Sequence, residues 1–283
     1  MKFNKVVIGA FSTCTVLSIV IASFLLVQIK STPNYSRMIR TGEEIRRTVL
    51  DMEIQERTYL LQHHESAIDN VRNSIADLRK TLSSYEKSAN GRKQAELFEF
   101  AAWEEAMNLY ERLFDQFVLY HSAAEKNIGE IRDLEKSILA VIYSKMNPER
   151  GVIALQEIRI HEKGYLLYRR RPKQPDEKSF QDMRKEAVAN LRLWADKDRR
   201  IEELMEKDNR LFNEILANYE SQDNTLMALE RESGRMKAIG EKYLEEGNKG
   251  LGIAHRRCVF LSTILLIMWV IVCFALFASR FHR

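Results

Sequence analysis

Two long uncharged runs frame everything between them. Residues 6–29 form a run of 24 without a charge, and residues 258–279 a run of 22. As helices rising 1.5 Å per residue they reach about 36 and 33 Å, enough to cross an apolar bilayer core of about 30 Å. The first run is long for the apolar core of a signal peptide, and no small-x-small cleavage pattern follows it. It therefore reads as an uncleaved anchor. Lys2 and Lys5 precede the first run, and Arg280 and Arg283 follow the second. Positive flanks favour the cytoplasm, so both short tails are expected there. The expected division has a tail and first transmembrane helix over 1–30, an extracytoplasmic domain over 31–256, and a second transmembrane helix with a short cytoplasmic tail over 257–283. The predicted location is the inner (plasma) membrane.

Charge and cysteine usage narrow the domain between the runs. The terminal segments hold six basic residues and no acidic one, so 31–256 carries 38 positive and 40 negative charges. That balance excludes a nucleic-acid partner as the reason for the net charge of +4. All three cysteines lie in the apolar runs, so the domain must be stable without disulfides. Four prolines in 283 residues disfavour an all-β chain.

The pattern over 31–256 is helical. Phe100, Trp103, Met107, Tyr110, Phe114, Phe117, His121, Ala124, Ile128, Ile131, Glu135, Ile138 and Ile142 alternate steps of three and four, the a/d stripe of bundle packing. Turn chemistry at residues 63–66, 88–91, 147–151, 170–175 and 207–209 divides the domain into six helices, near 35–62, 66–87, 92–146, 150–169, 177–206 and 209–255. Two are long, and the shorter ones fall into two pairs whose summed lengths approach theirs. The expected fold is all-α, two stacked four-helix-bundle modules, with each short pair running end to end beside the long helices.

An internal repeat supports two modules. Residues 49–61 align without gaps to 155–167, with five of 13 positions identical and four more similar. Both copies carry Glu-Arg/Lys-x-Tyr-Leu-Leu. The combination of two spans, six helices, domain size and this repeated motif resembles the helical bimodular sensor domain of bacterial chemoreceptors and sensor kinases, and is similar to related CHASE-type sensing domains. The resemblance covers roughly 31–256. It implies a non-enzymatic sensor without cofactor, usually a homodimer, that binds a small organic acid or a periplasmic binding protein. It also implies that a small helix displacement passes through the second span. Such receptors usually continue into a HAMP linker and a signalling module. This chain stops at Arg283, so either a separate transmitter protein is the expected partner or the sequence is that of a truncated receptor. A rod-like assembly scaffold is the alternative.

Glu56 and Glu162 occupy matching core-facing positions of the repeat. Parallel helices would bring both carboxylates toward one axis of the membrane-proximal module, where a buried carboxylate needs a partner or a proton. The favoured reading is a core polar layer that fixes helix register. A carboxylate ligand needs arginine for bidentate contact. Arg46, Arg47, Arg57, Arg159 and Arg235 are the candidates in that module, with Tyr59 and Tyr165 as hydroxyl donors. Arg92, Trp103, Tyr110, Arg184, Arg192 and Trp194 are weaker candidates for a distal site. No Glu stands three residues before a histidine, and His-Glu-x-x-His is absent, so no metal centre is expected. His63, His64, His121 and His161 read as ordinary polar packing.

Overall fold

The structure, a computed structural model, describes residues 2–62, 64–88, 100–168 and 179–281. Among these there are six α-helices and no strand: α1 (Lys2–Gln62), α2 (Glu65–Ser88), α3 (Phe100–Tyr143), α4 (Pro148–Tyr168), α5 (Phe180–Ala195) and α6 (Arg199–Phe281). The all-α expectation holds. The breaks expected at 88–91, beyond Ser88 at the end of α2, and at 170–175, together with His63 and Arg92, lie outside the described residues. Pro33 sits inside α1, which runs unbroken from the first apolar run into the domain. Likewise α6 carries the second apolar run as a direct continuation. Both helices thus contain a stretch long and apolar enough to cross a membrane, and in both that stretch is almost wholly exposed.

The chain forms two compact units. The first comprises residues 1–111 and 230–283, the second 112–229. In the first, α1 and α2 fold back on each other. Asn70 donates to Gln55 and Thr81 to Glu44, so pairs step backward along α1 as they step forward along α2. Arg79 of α2 reaches Asn108 and Glu111 of α3, each at 2.7 Å. The core draws Ile45, Val49 and Met52 from α1 and Val71, Ile75 and Leu78 from α2. Trp103 and Tyr110 of α3 and Met236 of α6 complete it. The lower half of α6 lies antiparallel against α1. Its contacts run from Lys237 with Glu53, through Gly240 with Gly42 and Gly247 with Ile39, to a ring pair of Trp269 and Phe11 at 6.3 Å.

The second unit is built the same way from α3 after Glu111, α4, α5 and the start of α6. Its core is Ile131, Ile138, Ile142, Leu155, Ile158, Leu191, Ile201, Met205 and Ile215 with their neighbours. α4 and α5 are antiparallel: Gly164 lies against the Phe180 ring and Gly151 against the Trp194 indole. Two tight turns close one end. Asn147 takes φ 56° just before Pro148 opens α4. Asp196 and Lys197 take φ 47° and 62° between α5 and α6. Asp198 then caps α6, its Oδ1 accepting from the Arg200 and Ile201 amides. Lys145 ties the two turns together, donating to the Ala195 carbonyl and pairing with Asp198 at 2.9 Å.

Three expectations are corrected by this architecture. The short helices do not run end to end. Each pair is a hairpin, because the short connection between Gln62 and Glu65 turns the apolar stripe of α2 onto α1. The fifth break lies at 196–198, not at 207–209, which is mid-helix. The two copies of the repeat therefore fall in different units. Glu56, Arg46, Arg47, Arg57, Tyr59 and Arg235 belong to the first, and Glu162, Arg159 and Tyr165 to the second. Trp103 and Tyr110 belong to the first unit as well, apart from Arg184 and Trp194 in the second.

Candidate functional site

Four buried charged side chains form a closed ring in the core of the second unit. Arg159 and Glu162 come from α4, Arg184 from α5 and Asp208 from α6, all at most 7% exposed. Arg159 donates through Nη1 to Glu162 and through Nη2 to Asp208 at 2.8 Å. Arg184 donates through Nε to the other Glu162 oxygen at 2.7 Å and through Nη2 to the other Asp208 oxygen. Each guanidinium thus holds both carboxylates, and each carboxylate uses both oxygens. Arg184 also donates to Asn209 and stacks on the Phe212 ring, 4.3 Å from its centroid. Burial holds the Glu162 carboxyl above its ordinary range. Arg159 and Arg184 pull it down, and the like charge of Asp208 pushes it up.

One donor of the ring is uncommitted. Arg159 Nε has no hydrogen-bond acceptor, and a carboxylate oxygen of Glu135 on α3 stands 3.5 Å away. Beside it is a cavity of about 100 Å³. Ile128, Ile131, Leu166, Phe212 and Ile215 make its apolar part, and Arg159, Glu162 and Glu135 its polar part. Arg132 and Lys163, both exposed, line its open side. The space would take a carboxylate with a few carbon atoms. The carboxylate would meet a buried guanidinium and two surface cations, and the carbons an apolar wall.

The other expected residues are dispersed. Arg46, Arg47 and Arg57 are exposed on α1, whereas Tyr59 is buried in the first unit's core. Arg235 is exposed and pairs with Glu105 at 3.2 Å. Tyr165 is half-buried with its ring against Phe212. Arg192 is exposed on α5. Glu162 is buried and paired with Arg159 and Arg184. Its repeat mate Glu56 is buried too, but its Oε1 has no partner. One substitution inside the repeat explains the difference. Three residues before Glu162 stands Arg159, which pairs with it. Three residues before Glu56 stands Glu53, which repels it.

Asp208 and Asn209 were legible only as a turn. The signal that places Asp208 inside is its stripe. Ile201, Met205, Asp208, Phe212, Ile215 and Tyr219 alternate steps of four and three, and all six are buried. The chain matches no protein-family model, and no curated protein sequence matches it.

Proposed function

We propose that the protein is a membrane-anchored sensor whose second unit binds a small carboxylate at Arg159. The observation that carries this reading is the uncommitted Arg159 donor beside an apolar cavity rimmed by Arg132 and Lys163. Both apolar runs span the membrane, with 31–256 outside the cytoplasm. α6 is the route of transmission, because Asp208 of the ring and the second span belong to one continuous helix. A ligand on Arg159 competes with Glu135, shifts the ring, and through Asp208 moves α6. Displacement of α6 along its axis would be read by a signalling partner in the cytoplasm.

The test is a thermal-shift series on the full chain in detergent, with acetate, butyrate, benzoate, succinate and neutral amides of similar size. A ligand at 100 times its dissociation constant stabilises the folded state by about 2.7 kcal/mol. Monocarboxylates should raise the melting temperature and amides should not. Arg132→Ala should weaken the effect and Glu135→Gln should strengthen it, since the glutamine no longer offers Arg159 a competing anion. Absence of any shift with organic acids would end this reading. It would favour the other one, a non-sensing scaffold, which the completeness of the remaining ring contacts supports: a charge ring satisfied internally fixes register without a ligand.

A further inference from the structure

In the first unit Glu56 is 4% exposed and its Oε1 has no hydrogen-bond partner. One turn earlier on α1, Glu53 is fully engaged by α6. It receives Lys237 Nζ at 2.6 Å on both oxygens and the Ser233 hydroxyl at 2.7 Å. The charges acting on Glu56 are Glu53 and Arg57 from its own helix and Glu230 and Lys237 from α6. Glu232, buried on α6, accepts from Arg231 at 3.4 Å, and its Oε2 has no hydrogen-bond partner, with Arg235 3.6 Å away. The register set by Gln55 and Asn70 puts uncharged Ala67 and Val71 of α2 at this level. The buried stripe that α3 contributes to this unit, Trp103, Met107 and Tyr110, carries no charge.

We propose that Glu56 is a proton-binding site that decides which glutamate Lys237 serves, and thereby how α6 packs on α1. A neutral acid fits this position, and Lys237 then stays on Glu53. When the proton leaves to solvent, a bare carboxylate is left in the core beside two other acids. Among the described residues the cation acting on it from α6 is Lys237, so Lys237 is drawn from Glu53 toward Glu56 and takes α6 with it. Burial pushes the Glu56 carboxyl from 4.5 up to about 8. Glu53 and Glu230 add to the rise, while Arg57 and Lys237 oppose it. The exchange therefore falls within a physiological range. The sign follows from the raised value: the folded state holds a proton that the unfolded chain has lost. The stabilisation is complete below about 4.5 and is lost as pH rises through about 8.

The experiment uses the full chain in nanodiscs, with Cys14, Cys258 and Cys273 replaced by alanine. Spin labels go on exposed Leu50 of α1 and exposed Ala238 of α6. The interlabel distance should change between pH 6 and 10 with a midpoint near 8. Glu56→Gln, isosteric with the neutral acid, should hold the low-pH distance throughout. Lys237→Met should abolish the distance change, since no cation is left to be drawn across, and Glu53→Gln should move the midpoint down by roughly one unit or more. A distance that is constant across this range overturns the proposal. So does a transition that survives Glu56→Gln.

Discussion

Asp208→Ala is expected to destabilise the second unit by about 3–5 kcal/mol, the largest effect of any single substitution outside the apolar core. Asp208 is 0% exposed and takes one guanidinium on each oxygen. Its removal leaves Arg159 and Arg184 buried with a single ring carboxylate, Glu162, between them. For a unit of this size the melting temperature should fall by roughly 10–20 °C. Trp194 is the tryptophan of this unit, so its fluorescence in a Trp103→Phe, Trp269→Phe background follows the transition. Replacing the whole ring behaves differently. With Arg159→Met, Glu162→Leu, Arg184→Met and Asp208→Leu together, no charge is stranded, and stability should be unchanged or higher. The carboxylate binding proposed for Arg159 should then be abolished. A loss below about 0.5 kcal/mol for Asp208→Ala would mean that the ring is not closed in solution.

The contrast between this ring and its counterpart in the first unit also marks how far the sequence could be read. Helix class, the stripe from Phe100 to Ile142 and the turn at Asn147 were all visible, because apolar period and turn chemistry are local signals. The hairpins were not, since the period of a stripe does not say which neighbour covers it. The Lys207-Asp208-Asn209 segment was misread for a physical reason. Asp and Asn favour turns when their side chains are free to bond the local backbone, and here both are consumed by Arg184 and Arg159 from other helices. The true break at Asp196-Lys197-Asp198 used the same residue types, with Asp196 in the left-handed region and Asp198 as cap. Local chemistry was identical at the two places, and only the a/d position of Asp208 separated them. For the site, the repeat pointed to Glu56 and Glu162 correctly as buried carboxylates. Their different fates hang on Glu53 against Arg159, a charge reversal at one aligned position.

The glycines of the α1–α6 seam carry the second large expected effect, and it takes opposite signs along one helix. A Cβ on Gly42 would stand 2.7 Å from the Gly240 carbonyl oxygen, and one on Gly247 would stand 2.8 Å from Ile39 Cγ1 and 3.1 Å from both the Ile39 amide and the Tyr35 carbonyl. Backbone atoms cannot rotate aside, so the helices must separate. Gly42→Ala with Gly247→Ala should therefore cost about 2–6 kcal/mol, as two overpacked sites of about 1–3 kcal/mol each. Gly250 is equally confined, by the Tyr35 ring, but a ring can move and the cost should be smaller. A Cβ on Gly234 or Gly252 would meet nothing within 4 Å beyond its own turn of helix. Alanine there removes only the helix penalty of glycine and should stabilise by about 0.5–1 kcal/mol per site. Glycines in a helix beside a membrane can serve either close packing or local softness. The geometry divides them: Gly42, Gly240, Gly247 and Gly250 set a close helix contact, and Gly234 and Gly252 do not. Unfolding of the first unit, followed by Trp103 fluorescence in a Trp194→Phe, Trp269→Phe background, separates the two accounts. Stabilisation by all four alanines would support flexibility as their common purpose and remove the close seam from the description of α1 and α6. Opposite signs would establish that seam as the contact through which any shift of α6 must be felt by α1.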